Sequence, residues 1–525
     1  MRFFNTAGPV KCDEHYCLPP LERLDLEEIL LLIGQKQYFA LHAPRQTGKT
    51  SCMLALMEYI NKIGKYKCLY SNVESAQGAR EDVKRGIRAI LSEIADRAEM
   101  YLDDRAPQDI WTDVLARQGE DAALNAVITR WAKKSDRPIV LLIDEIDSLI
   151  GDTLISVLRQ LRAGYDKRPE MFPQSVILCG VRDIRDYRIH SSKQKEIITG
   201  GSAFNVKAAS LRLGNFSKYE VKRLYDSHTK ETGQAFDNDA LELAWKLTQG
   251  QPWLTNALGY EVCFKIKENR DRSIPITADM MAVAKENIIL RRETHIDQLM
   301  DKLQEERVRR VIEPILTGAE KFNHFAEDDL SYVEDLGLIK IKPNVRISND
   351  IYHEVIPRAL TYVTQVGISH ETHWYVDENG MLDIAKLIAA FQKFFRKHSE
   401  SWLERFQYRE AGSQLLLQAF LQRIVNSGGS VEREYGLGKM RSDLLVIWRH
   451  KAGVQNVVIE LKIKYGSLER TINKGVGQIV EYMDRCGAQD GHLVIFDRND
   501  NLSWEEKIFQ KQKTFQGYTI NVWGM

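Results

Sequence analysis

The ten residues HAPRQTGKTS, 42–51, constrain this chain more than any others. They follow a short apolar strand pattern, YFAL, and precede an apolar-periodic helix pattern, CMLALMEYI. A tight loop between a strand and a helix start turns successive backbone N–H groups toward an anion, and the helix dipole favours negative charge there. Gly48 lets the backbone approach a phosphate, Lys49 supplies charge for β- and γ-phosphates, and the Thr50 hydroxyl is suited to ligate Mg²⁺. Ala43, Pro44, Arg45, Gln46, Thr47, Gly48, Lys49, Thr50 and Ser51 are therefore the expected ATP-binding segment. Ala43 stands where the usual pattern has its first glycine, and a small residue serves because the second glycine makes the closest approach.

A second stretch completes the chemistry. IVLLIDEID, 139–147, reads as a buried strand ending in two adjacent acids, Asp144 and Glu145. A buried parallel strand has no structural use for such a pair. With a phosphate loop upstream, the first acid holds Mg²⁺ through water and the second orients the attacking water as base.

The surrounding pattern is α/β. YFALHA, KCLYSNV, PIVLLIDE and SVILCGV alternate with helical periodicity, predicting a parallel sheet flanked by helices. The 525 residues are too many for one core, and the 44% apolar content is that of an ordinary globular protein. We expect an ATPase core over 1–215, a helical lid over 216–300, a winged helix over 301–366, a linker and helix over 367–400, and an α/β module over 401–525. Lys plus Arg and Asp plus Glu balance at 73 each, so a nucleic-acid partner requires a local basic patch. The seven cysteines have no CxxC spacing, and Cys12, His15 and Cys17 lack the second half of a zinc site; they read as ordinary, unpaired residues. The opening MRFFNTAG has no signal-peptide pattern, and runs such as ILLLI are too short to cross a bilayer. A cytoplasmic, membrane-free protein of a reducing compartment is the expectation.

From Phe4 to Leu360 the chain resembles the AAA+-like ATPases of the STAND and archaeal-type branch, the bacterial "AAA-like domain" proteins. The matching stretches include FNTAGPV, LHAPRQTGKT, LLIDEIDSL, LRQLRAGYDKR, LCGVRD, GQPWLTNAL and NDIYHEVIPR. The resemblance implies a sensor near the γ-phosphate at Arg182 or Asp183, and a lid turn, Gly250-Gln251-Pro252, near the nucleotide. It also offers Arg162 as an arginine finger on a neighbouring subunit, and with it a homo-oligomer.

DDLSYVEDLGLIKIKPNVRISNDIYHEVIPRAL reads as helix, two short strands and helix, the order of a winged helix. Its first helix carries Asp328, Asp329, Glu334 and Asp335, a face that DNA phosphates repel. Packing against the ATPase is the better reading.

The C-terminal module poses a different question. In NVVIELKIK, 456–464, strand alternation puts Glu460 and Lys462 on one face. Asp443 begins an apolar strand, RSDLLVIWRH, and a hairpin turned near HKAGVQN would bring it to Glu460. Two carboxylates at strand ends can hold Mg²⁺, and a lysine at the same rim can polarise the attacking water. From about Trp402 onward the module resembles the PD-(D/E)XK nuclease superfamily, with Ser442 where the eponymous proline would stand. The resemblance adds Glu410 as a further acid, Lys439 and Arg441 as backbone contacts, and Gln478 and Tyr482 on a helix face lining the site.

Together these readings give an ATP-driven switch joined to a Mg²⁺-dependent nuclease acting on nucleic acid, DNA in the first instance. Such combinations recur in defence against phage and mobile elements, an analogy of fold alone. Two rivals stay open: a regulatory NTPase whose nuclease-like domain only binds nucleic acid or a protein, and a chaperone-like or transcriptional switch with its winged helix on DNA.

Overall fold

Two parallel two-residue strands, β1 (Phe3–Phe4) and β2 (His15–Tyr16), open the computed structural model. The apolar runs become β3 (Tyr38–His42), β4 (Lys67–Asn72), β5 (Ile139–Asp144) and β6 (Ser175–Gly180). A short antiparallel pair follows, β7 (Arg188–Ser191) and β8 (Glu196–Thr199). β9 (Lys207–Arg212) then completes a five-stranded sheet, order β4-β5-β6-β3-β9, in which every neighbour is parallel. Residues 1–183, 187–191, 196–291, 293–316, 326–360, 375–403, 416–418, 420–421, 429–437, 440–450, 453–464, 466–497, 499 and 502–525 are described.

The sheet is buried on both faces, which is why its strands read as continuous apolar runs. On β5, Leu141 and Ile143 enter a core with Leu69, Leu178 and Trp131, while Val140 and Leu142 enter another with Tyr70, Ile177 and Cys179. β9, KAASLR, is the strand the sequence reading lacks. It is an edge strand with mostly half-exposed residues, so it carries no apolar run.

The chain packs as two units, Met1–His295 with Ala326–Ile351, and Ile296–Phe325 with Tyr352–Met525. In the first, helices Lys218–Thr232, Asn238–Thr248, Pro252–Tyr260 and Ala278–Arg291 follow the sheet. The first of them starts at a capping box in which Ser217 and Glu220 satisfy each other's backbone N–H groups. An acidic helix, Glu327–Asp335, and an antiparallel pair, β10 (Ile339–Lys340) with β11 (Arg346–Ile347), precede helix Asp350–Leu360.

One expectation is corrected here. Cys12 and Cys17 are joined as a disulfide. The intervening residues form a turn, with the His15 N–H donating to the Lys11 carbonyl at 2.8 Å, and this brings the two Cα atoms to 5.3 Å. Nothing in a CxxxxC spacing announces such a turn.

The second unit holds a six-stranded sheet of β12 (Gly429–Leu437), β13 (Met440–His450), β14 (Gly453–Ile463), β15 (Asp490–Phe496), β16 (Phe509–Phe515) and β17 (Tyr518–Gly524). Its order is β12-β13-β14-β15-β17-β16. β13 runs antiparallel to its neighbours β12 and β14, and β14, β15 and β17 are parallel. The crossover helix Leu468–Cys486 joins β14 to β15 and packs Val476, Ile479, Val480 and Met483 onto Val458, Leu493, Ile495, Ile520 and Val522. Elsewhere in the unit, helix Ile384–Leu403 places Phe395 against Phe496, ring centroids 5.4 Å apart, and Gln392 Nε2 donates to the Gly524 carbonyl at 2.8 Å. No helix among the described residues is long and apolar enough to cross a membrane.

Candidate functional site

β3 delivers the chain directly into the phosphate loop, and helix Lys49–Ile63 leaves it. Gln46 and Gly48 take left-handed backbone angles, φ 56° and 89°, and fold the loop back on itself. Ala43 has no such angle, which explains why alanine is accepted in the first-glycine position. Gly48 has a second reason to be glycine: a Cβ there would stand 2.7 Å from Arg23 Nη1. Arg23 braces the loop from outside, donating to the Thr47 carbonyl at 2.6 Å and the Gly214 carbonyl at 2.8 Å. Sequence reasoning missed it, because a lone arginine before a helix carries no motif.

Inside the loop, Lys49 Nζ donates to the Ala43 and Pro44 carbonyls at 3.0 and 3.1 Å. The Thr47 hydroxyl closes the turn on the Pro44 carbonyl at 2.7 Å. Arg45 is exposed at the tip. Ser51 faces the N-terminal segment, its Oγ accepting the Val10 N–H at 2.9 Å.

At the end of β5, Asp144 is fully buried. Thr50 Oγ1 donates to its Oδ2 at 2.8 Å, Tyr70 OH donates to the same oxygen at 3.0 Å, and the Glu145 N–H donates to Oδ1 at 2.9 Å. The Thr50–Asp144 contact joins the two groups expected to share Mg²⁺, and Lys49 already gathers oxygen acceptors, so the residues fit Mg–ATP. Glu145 holds a left-handed φ of 56°, uncommon for a side chain of this size. Burial raises its pKa above the usual carboxylate range, Asp147 adds to the rise, and Lys49 opposes it.

The lid turn reaches the loop. Gln251 caps helix Pro252–Tyr260 through Oε1, which accepts the Leu254 N–H at 2.6 Å, and its Nε2 extends to the Gln46 carbonyl at 3.4 Å. Pro252 is buried at the first helical position. The two sensor candidates are both engaged by side chains. Arg182 pairs with Asp335 at 3.3 Å, lies 4.0 Å from Asp328, and stacks over Tyr332 at 4.9 Å. Asp183 pairs with Lys207, Oδ2 to Nζ 2.6 Å. Arg162 is exposed and donates to the Ser202 carbonyl at 3.1 Å.

In the second unit, Leu444 pairs with Ile459 in the antiparallel register of β13 and β14. Carried on by one residue, that register sets position 443 opposite position 460. Glu460 is 2% exposed, and Lys462 Nζ lies 2.5 Å from its Oε1. Strand alternation turns Glu460 and Lys462 to the face of Val458, which the crossover helix covers. On that helix, the buried Oε1 of Gln478 has no hydrogen-bond partner among the described residues, while Tyr482 belongs to the apolar core. Glu410 and Lys439 lie outside the described residues, and of Asp443 and Arg441 only the strand positions are described. Among the described residues no cluster of three or more His, Cys, Asp or Glu is arranged for a metal.

A central parallel strand feeding a phosphate loop, with a buried acid on a nearby strand hydrogen-bonded to the loop threonine, defines a P-loop ATPase. More particularly, residues 19–356 match the family described as "AAA-like domain", well over half the chain, and the protein belongs to that family. Solved structures similar to it include a Walker-type ATPase of Pyrococcus abyssi, 14% identical, covering 67% of this chain and 99% of that one with a TM-score of 0.45. Cdc6p of Pyrobaculum aerophilum is 15% identical over 75% of this chain and 97% of its own, TM-score 0.38. The RuvB Holliday junction branch migration motor of Thermotoga maritima is 16% identical over 64% of this chain and 94% of its own, TM-score 0.32. No curated protein matches the chain.

Proposed function

We propose that this P-loop ATPase works as an ATP-driven switch and that its C-terminal sheet is a Mg²⁺-dependent nuclease of the PD-(D/E)XK kind. The observation carrying the nuclease reading is the β13–β14 register, which brings position 443 toward the buried Glu460, with Lys462 held against that carboxylate. Asp443 and Glu460 are the expected metal ligands, with Glu410 and Gln478 as further site residues. Bound Mg²⁺ would supply Lewis acidity at a phosphodiester. Lys462 would then polarise the attacking water and provide a positive charge at the rim against charge building on the phosphate, with Glu460 anchoring it. The order of antiparallel hairpin, ExK strand, crossover helix and parallel strand supports the same reading. The substrate is nucleic acid, DNA in the first instance, met in the cytoplasm.

In the first unit, Lys49 and the loop amides would hold the phosphates, Thr50 and Asp144 would hold the metal, and Glu145 would take the proton of the attacking water. The helix Glu327–Asp335, β10, β11 and helix Asp350–Leu360 are read as a winged helix whose acidic face serves the ATPase instead of DNA. Asp328 and Asp335 face Arg182, and Glu334 Oε2 lies 3.5 Å from Arg212 Nη1. Arg162, exposed, is the candidate finger for a neighbouring copy in a homo-oligomer.

The deciding experiment is cleavage of plasmid, linear DNA and RNA with Mg²⁺ or Mn²⁺, with and without ATP, for the native protein, Glu460→Ala and Lys49→Ala. We expect metal-dependent cleavage that Glu460→Ala abolishes and that Lys49→Ala no longer couples to ATP. ATPase activity with no cleavage of any substrate overturns the nuclease and leaves a binding module on an ATPase.

A further inference from the structure

Tyr70 lies on β4, the strand beside β5, and reads in sequence as one more apolar core residue. Its ring is buried, 2% exposed, among Cys68, Val140, Leu142 and Cys179. Its hydroxyl, however, is spent on the one acid at the heart of the nucleotide site. β4 and β5 pair Asn72 with Asp144 and Tyr70 with Leu142, so the phenol ring spans the length of two residues to reach Asp144 Oδ2.

That oxygen accepts two hydroxyls, from Thr50 and from Tyr70, and the two differ in what they can do next. Thr50 sits at the start of the loop helix, where a bound Mg²⁺ would claim its oxygen. Tyr70 is embedded in the core and has no such alternative. Were the threonine to turn to a metal, Asp144 would keep the Glu145 N–H on Oδ1 and the Tyr70 O–H on Oδ2, with the Cys179 thiol also beside the carboxylate. A buried carboxylate that must hold a metal through water needs its rotamer fixed, because a small rotation moves the water out of reach.

We propose that Tyr70 is a positioning residue for magnesium: its hydroxyl fixes the Asp144 carboxylate in the orientation that holds the metal's water, and so sets how much Mg²⁺ adds to ATP affinity. The inference rests on the nucleotide site and is independent of the nuclease reading.

Tyr70→Phe tests it, since the ring and its packing are retained and only the O–H is lost. ATP affinity is measured by calorimetry on the full chain, once in EDTA and once in saturating Mg²⁺. We expect the EDTA affinity to stay within about two-fold and the Mg²⁺-dependent gain to fall roughly ten-fold, as for loss of a hydrogen bond to a charged group. In an Asp144→Asn background Tyr70→Phe should then change the Mg²⁺-dependent gain no further, because the oxygen it serves has lost its charge. A thermal melt in parallel reports whether the fold is kept. An unchanged Mg²⁺ gain overturns the proposal, as does a fall of equal size with and without the metal, the mark of a residue that only packs.

Discussion

Arg182 and Asp335 form an ion pair across 153 residues of sequence, Nε to Oδ2 at 3.3 Å, with each side chain about one-tenth exposed at 10% and 11%. The arginine lies two residues past the end of β6, the strand beside β3, and the aspartate ends the acidic helix. Removing one partner takes the nearest opposite charge from a side chain almost wholly out of water, with Asp328 still 4.0 Å from Arg182, and breaking a buried pair costs up to about 3–5 kcal/mol. Urea unfolding of Arg182→Ala and Asp335→Ala should each report a loss of that order. The double variant should lose clearly less than the sum of the two. Strictly additive losses would mean the pair carries no coupling.

Lys49 holds its single ammonium inside the phosphate loop, on the Ala43 and Pro44 carbonyls. Lys49→Ala should weaken ATP binding by roughly two orders of magnitude, measured by calorimetry, with the melting temperature nearly unchanged. A variant that binds ATP normally would contradict the loop assignment.

Glu145 gives a pH signature with a definite sign. Its folded pKa lies above its unfolded value, so the folded state binds the extra proton, and stability falls as pH rises through that window. Above the folded pKa the full cost of the buried charge is present. Glu145→Gln should therefore melt higher than the native protein at pH 7, and the gain should vanish below the unfolded carboxylate range. The same variant should bind ATP but hydrolyse it about 10²–10⁴-fold more slowly. For the native enzyme, turnover should drop on the acid side at a pH above that of an ordinary glutamate.

His42 and His295 act in the opposite sense. Burial lowers both to about 4, with Arg212 adding to the effect on His42. A histidine depressed in the fold is charged more readily when unfolded, so stability is complete at neutral pH and lost as pH falls from about 6.5 to about 4. His295 is stacked on Trp253 at 4.9 Å, so His295→Phe keeps an aromatic partner there. Melting curves should show that variant losing less stability across the same acid range.

For the proposed nuclease, EDTA should stop cleavage and Mn²⁺ should restore it. Lys462→Ala should retain metal binding and cleave at least about 100-fold more slowly, because it removes charge stabilisation and not a ligand. Cleavage at the native rate would reduce Lys462 to a partner of Glu460.

Much of this was legible in the chain. The phosphate loop, the paired acids and four of the five core strands each have a local signature, because a loop, a strand end or a buried run is written in consecutive residues. What escaped is what two distant segments make together. Tyr70 looks like any core aromatic until β4 lies beside β5. Arg23 becomes a brace only when Gly48 and Thr47 come to it. Arg182, a sensor candidate alongside Asp183, pairs with the acidic helix, which was expected to pack against the ATPase but whose partner residue no local pattern names. In the second unit, alternation placed Glu460 and Lys462 on one face, and the partner position on β13 rested on an expected hairpin, for which the pairing of Leu444 with Ile459 supplies a register.

Gly337, φ 79°, follows the acidic helix, and a Cβ built there would stand 2.9 Å from both Cβ and Cγ of Pro44 in the phosphate loop. The clearance at this point is thus smaller than one methyl group. An alanine nearly three hundred residues from the loop would act as a wedge, prising apart the helix and the segment that cradles ATP. The phosphate loop and the end of the acidic helix are therefore neighbours with a tolerance of a single carbon atom, and whatever one of them does in volume the other must answer in position.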